Sequence, residues 1–106
     1  MTDRELLELA AKAAGIENFG FNGNGSLCTD PVDYIPWNPL TDDGDALRLA
    51  VKLEMLVHVE TCYYATACND DVSMTEHIGN DGRGCIYAAT RRAIVRAAAE
   101  IGRAMP

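Results

Sequence analysis

The spacing of apolar residues changes period twice along this chain, and each change dictates a type of element. From Met55 onward the pattern alternates, so that Met55, Val57 and Val59 fall on one side of an extended chain while His58 and Glu60 fall on the other. On both flanks the repeat is helical. Ala46, Leu49, Ala50 and Leu53 form one stripe before the alternating run, with Leu47 and Val51 beside it. Ile86, Ala89, Ala93, Ile94, Ala97, Ala98 and Ile101 form a broader stripe after it, which must be buried. The many alanines predict close approach of this last helix to the sheet or to another helix, and Gly102 is expected to end it.

The alternating run reads as one strand continuing through Tyr63, Tyr64, Ala65 and Thr66, turning at Asn69-Asp70 and returning through Val72, Met74 and Glu76. That turn sets Cys68 opposite Asp71, Ala67 opposite Val72, Ala65 opposite Met74, Tyr63 opposite Glu76 and Cys62 opposite His77, which gathers small and apolar side chains on the core face. A two-stranded hairpin is marginal on its own. A third strand from the Phe19 to Leu27 region, or sheet pairing across a homodimer, is expected to complete it.

At the start, Thr2-Asp3-Arg4-Glu5 has the spacing of a capping box, Leu6, Leu9, Ala10 and Ala13 recur at helical spacing, and Gly15 supplies a left-handed stop. A helix over 3–14 follows. From Glu17 to Leu40, Gly20, Gly23, Gly25, Pro31, Pro36 and Pro39 preclude a regular helix. The interleaved Phe19, Phe21, Tyr34 and Trp37 mark that segment as docked, either as lids over the core edge or as part of a binding loop. Thr41-Asp42-Asp43-Gly44-Asp45 then offers caps and carboxylates to the positive end of the second helix. A calcium loop would need a longer ligand series ending in glutamate.

The predicted whole is therefore a single α+β domain over 1–106, three helices packed on a small antiparallel β-sheet in the order helix, long loop, helix, β-hairpin, helix, with the second and third helices on the sheet. A chain of 106 residues that is 48% apolar has enough material for one core. No apolar run approaches the ~18 residues of a membrane span, and Met1 to Glu5 lacks the pattern of a signal peptide, so neither insertion nor secretion is expected.

Charge and cysteine usage narrow the function classes. The formal net charge is −7, with eleven acids against four bases in residues 1–60 and two acids against five arginines in residues 81–106. An acidic body offers no track to a phosphate backbone, so general DNA or RNA binding is not expected. Arg91, Arg92, Arg96 and Arg103 read either as the solvated side of the last helix or as an anion-docking patch. Cys28, Cys62, Cys68 and Cys85 contain no Cys-x-x-Cys pair and are expected to be reduced, acting as small hydrophobes.

Two constellations invite chemistry. His58, Glu60 and Cys62 share a strand face, with His77 opposite Cys62 in the predicted register, and imidazole, carboxylate and thiolate all bind zinc. Ligands at i and i+2 on a strand stand nearly ~7 Å apart, however, so three in line hardly reach one ion, and no metal is assigned. A polar sheet face covered by a partner or by the first helix is the alternative. The second constellation is the glycine-rich loop of Gly79, Gly82 and Gly84 around Arg83, ahead of a helix N-terminus. With no Lys-Ser/Thr following, it serves equally as a plain strand-to-helix turn. No nucleophile elbow or complete catalytic set is visible.

Trp37-Asn38-Pro39-Leu40-Thr41-Asp42-Asp43-Gly44-Asp45-Ala46-Leu47-Arg48-Leu49-Ala50-Val51, the tail Ala93-Ile94-Val95-Arg96-Ala97-Ala98-Ala99-Glu100-Ile101-Gly102 and the start Asp3 to Gly15 together resemble the small phage proteins grouped as the phage ABA sandwich domain family. The resemblance implies a bacteriophage or prophage origin, helices on an antiparallel sheet and a host bacterial cytoplasmic setting. It implies no defined activity, catalytic residue or cofactor, and residues 17–36 and 57–84 lie outside it. The expected function is a non-enzymatic phage accessory protein that binds a host factor, with counter-defence as one such role, in a homo-oligomer. The alternative is a small-ligand binder that sequesters a phosphorylated nucleotide through Gly82, Arg83, Gly84, Tyr34, Trp37 and Arg91.

Overall fold

The computed structural model describes residues 2–16, 20–21, 27–28, 35–60, 63–78 and 85–106. The first helix, α1 (Asp3–Ala13), starts where the sequence places it: the Thr2 hydroxyl accepts from the Glu5 N–H at 3.2 Å, and the Glu5 carboxylate reaches back to that hydroxyl. It ends in a Schellman motif, with Gly15 at φ 78° and the Ile16 N–H bonded to the Ala11 carbonyl. Two short strands follow, β1 (Gly20–Phe21) and β2 (Leu27–Cys28), paired antiparallel to each other. The expected third strand from this region thus forms a separate two-stranded sheet. Among the described residues it meets α1 through the Arg4 guanidinium, which lies 4.0 Å over the Phe21 ring.

Helix α2 (Asp43–Lys52) is capped by Asp42, whose carboxylate accepts from the Asp45 N–H at 2.8 Å. Three strands come next, β3 (Leu56–Glu60), β4 (Tyr64–Cys68) and β5 (Ser73–His77), in the order β3-β4-β5 and antiparallel throughout. The single long strand of the sequence reading is therefore two strands. The Tyr63 N–H bonds to the Glu60 carbonyl at 2.9 Å, and the chain reverses there. The sheet gains its third strand from within the alternating run itself.

The second reversal also differs from expectation. Asn69 takes both the Asp71 and Val72 amides on its side-chain oxygen, at 2.9 and 3.1 Å, while its own N–H bonds to the Val72 carbonyl. The two-residue turn thus sits one residue further on than expected, at Asp70-Asp71, closed by the Asn69–Val72 pair. The register slides by two: Cys68 faces Ser73, Ala67 faces Met74, Ala65 faces Glu76, and His77 faces Tyr64 instead of Cys62. A slip of two preserves the faces, so Ala65 and Ala67 are still fully buried.

Helix α3 (Ile86–Ala104) lies across β4 and β5 on the inner side, and α1 runs along α3. The core is built of small side chains: Ala10, Ala46, Ala50, Ala67, Ala93, Ala97, Ala98 and Ala99 surround Leu6, Leu49, Ile94 and Val95. Gly102 does not end α3. It sits buried where α3 meets α1, and a Cβ there would overlap the Leu9 carbonyl oxygen. Packing against α1 carries the helix on to Ala104.

Helix α2 seats on α3 rather than over the sheet, and α1 does not reach the sheet's outer face. Arg91 clamps the α2–α3 contact: its Nε donates to the Leu40 carbonyl at 2.8 Å and its guanidinium pairs with Asp43 at 2.6 Å. Arg92 joins Asp3 at 3.0 Å, and Arg96 joins the half-buried Glu76, so the arginine side of α3 ties the helix to α1 and β5. No described helix is long and apolar enough to cross a membrane.

Candidate functional site

Alternation along each strand sends Val57, Ala65, Ala67 and Met74 inward and leaves a second set of side chains pointing away from the helices. Among the described residues, nothing covers this outer face. Cross-strand pairing arranges it in rows: Glu60, Tyr64 and His77 form one, His58, Thr66 and Thr75 the next, and Leu56, Cys68 and Ser73 the last. The Tyr64 ring lies between two imidazoles, its centroid 6.2 Å from that of His58 and 5.8 Å from that of His77, each pair tilted. His58 Nε2 and Glu60 Oε1 are 2.9 Å apart, and the Thr66 and Thr75 hydroxyls meet at 2.9 Å. The cross-strand contacts among these, His58–Tyr64, Tyr64–His77 and Thr66–Thr75, contribute roughly 0.2–1 kcal/mol each.

This face is chemically mixed. It presents aromatic edges, hydroxyl donors and acceptors, two imidazoles and one carboxylate on a rigid frame. Among the described residues no group of three or more His, Cys, Asp or Glu side chains converges as a metal cage. His58 and His77 stand on opposite sides of Tyr64 rather than together. Cys62 lies outside the described residues, and the place opposite His77 that the sequence reading gave it is taken by Tyr64. Cys68 on the same face is a free, half-buried thiol.

A second concavity opens at the β3 edge, a groove of about 400 Å³ between α2, β3 and the start of α3. Its floor is Val57 and Val59, and its walls include Ala46, Leu47, Ala50, Ile86, Tyr87 and Ile94. Leu47 is 63% exposed, Tyr87 66% and Val59 43%, so this part of the sheet's inner side is only partly roofed.

Of the residues the sequence nominates for a nucleotide, Tyr34, Gly82, Arg83 and Gly84 lie outside the described residues. Trp37 is half-buried against the core cluster, in the manner of a lid over its edge. Arg91 is held by Leu40 and Asp43, so its guanidinium serves the α2–α3 joint. The sequence reading missed Tyr64, Thr66 and Thr75 as members of a shared face, because their alignment with His58 and His77 depends on the reversal at Tyr63. It also passed over Tyr87. The exposed Leu47 was visible as an apolar residue lying beside the core stripe of α2. No family model, curated protein or solved structure matches the chain.

Proposed function

We propose that this chain is a non-enzymatic accessory protein of a bacteriophage that acts in the host by binding a host protein through the outer face of its three-stranded sheet. The observation that carries the reading is the uncovered face itself, with the Tyr64 ring flanked by His58 and His77 and with Glu60 and the Thr66–Thr75 pair close by. Tyrosine on a rigid strand is a favourable anchor, since it buries a large amphipathic ring at little cost in conformational freedom. The net charge of −7 suits steering toward a basic patch on such a partner. The bacteriophage setting rests on the resemblance carried by residues 3–15, 37–51 and 93–102, and counter-defence is one role such binding would serve.

The test is capture from host lysate at physiological salt by immobilised wild-type chain, Tyr64→Ala, His77→Ala and, as a control remote from the face, Arg103→Ala near the end of α3. The same partner should be retained by wild type and control, and weakened about tenfold or more by Tyr64→Ala. No partner, or one indifferent to both face variants, overturns the reading. A thermal shift with a nucleotide panel tests the ligand alternative, and a saturable shift there would replace protein binding as the function.

A further inference from the structure

The backbone hydrogen-bond pattern identifies which groups of β3 face outward. The Ile78 N–H bonds to the Tyr63 carbonyl and the Asn69 N–H to the Val72 carbonyl, both in register with the β4–β5 pairing. Odd-numbered residues of β4 therefore bond to β5, and even-numbered ones bond to β3. Their partners on β3 are Leu56, His58 and Glu60. The N–H and C=O groups of Val57 and Val59 consequently point off the edge, where no described strand meets them.

β3 contains no proline and no lysine, two of the devices that discourage edge pairing. On its inner side Val59, Leu47 and Tyr87 leave apolar surface exposed around the groove. A second strand laid against β3 would satisfy outward N–H and C=O groups at Val59 and extend the floor of that groove.

We propose that this strand is β3 of a second copy of the chain, paired antiparallel about a twofold axis at Val59. The charges along the strand select both the occupant and the register. A twofold at Val59 sets His58 of each copy opposite Glu60 of the other, giving two reciprocal imidazole–carboxylate pairs at the close-packed, non-hydrogen-bonded positions, while Val59 meets Val59 on the inner side. A twofold at His58 would set the two imidazoles against each other. A twofold at Val57 would leave His58 against Leu56. Only the first arrangement is complementary, and it joins two three-stranded sheets into one of six with all helices on the same side. The exposed apolar faces of the two α2 helices, Leu47 and Val51, then converge near the axis, and the two grooves become continuous.

Sedimentation equilibrium and light scattering on the full chain test this directly. Wild type should behave as a species of twice the 11.5 kDa chain mass. Glu60→Lys sets lysine against histidine and His58→Glu sets glutamate against glutamate, and each should raise the dimer dissociation constant about tenfold or more. The double variant His58→Glu with Glu60→Lys restores opposite charges only if the twofold is at Val59, and should recover the dimer. Val59→Pro removes one outward N–H and should give a folded monomer, with circular dichroism reporting that the fold is kept. A monomeric wild type at about 100 μM, a dimer indifferent to all these variants, or a double variant that fails to recover would overturn the proposal. Val59 lies on the inner side, so Val59→Pro that loses self-association yet still captures the host partner leaves the binding function standing, and a wild-type dimer without a partner leaves the pairing standing.

Discussion

Glu54 is the one non-glycine residue among those described with a positive φ, at 53°. It occupies the left-handed position just beyond α2, where its N–H bonds to the Val51 carbonyl at 3.2 Å and the Met55 N–H bonds to the Ala50 carbonyl at 2.9 Å. These bonds satisfy carbonyls that the end of the helix would otherwise leave open, and they turn the chain from helix into β3. A side chain in this conformation costs about 1–2 kcal/mol that glycine would not incur. Glycine loses more freedom on folding, which offsets part of the gain. Glu54→Gly should therefore raise stability by about 0.5–1 kcal/mol, or a few degrees in the thermal midpoint, with the urea m-value unchanged. A decrease in stability would show that the carboxylate contributes something the backbone does not reveal.

At the level of elements, α1 and α3 approach so closely that only hydrogen fits at Gly102. Alanine at this position has nowhere to go, because the obstacle is the Leu9 backbone carbonyl rather than a pliable side chain. Gly102→Ala should cost about 2–3 kcal/mol despite its better helix propensity, read as a lower denaturation midpoint. The sign is diagnostic, since a glycine acting only as a helix stop would be stabilised or unaffected by the same change. The sequence shows Gly102 near the end of a helical repeat, and local rules read it as a terminus; the close approach that explains it lies ninety residues away in the chain. The same divide runs through the sheet. Alternation around Val57, Ala65 and Met74 was enough to give the buried faces, because they follow from parity. The reversal at Tyr63 was hidden, since Thr61-Cys62-Tyr63 contains no glycine, proline or asparagine and its residues have strand propensity. The register was hidden by one side chain, Asn69, whose oxygen holds two amides and moves the turn on to Asp70-Asp71. Hence His58 and His77 were legible as outward-facing residues, whereas Tyr64 between them was not.

At the scale of the whole molecule, the size of the proposed binding face argues for a larger assembly. Three strands of five residues make a face about 17 Å long and about 14 Å wide, roughly 240 Å² in plan. A stable protein complex commonly buries about 800 Å² on each partner, so one such sheet is a small platform. Pairing through β3 would double it and place two Tyr64 rings on one surface, giving a partner with two sites the benefit of a high local concentration. Self-association also links stability to concentration, because the unfolded chain is monomeric and each folded unit holds two chains. A hundredfold increase in protein, with both concentrations above the dimer dissociation constant, contributes about 2.7 kcal/mol per dimer. Spread over the unfolding entropy of two chains of 106 residues, that amounts to about 6 °C in the thermal midpoint. Wild type should show this rise. Val59→Pro should show a midpoint independent of concentration, since its β3 edge lacks a donor but its core is intact. A midpoint that stays constant in wild type over that range would mean that the β3 edge remains unpaired and that the partner meets a single three-stranded face.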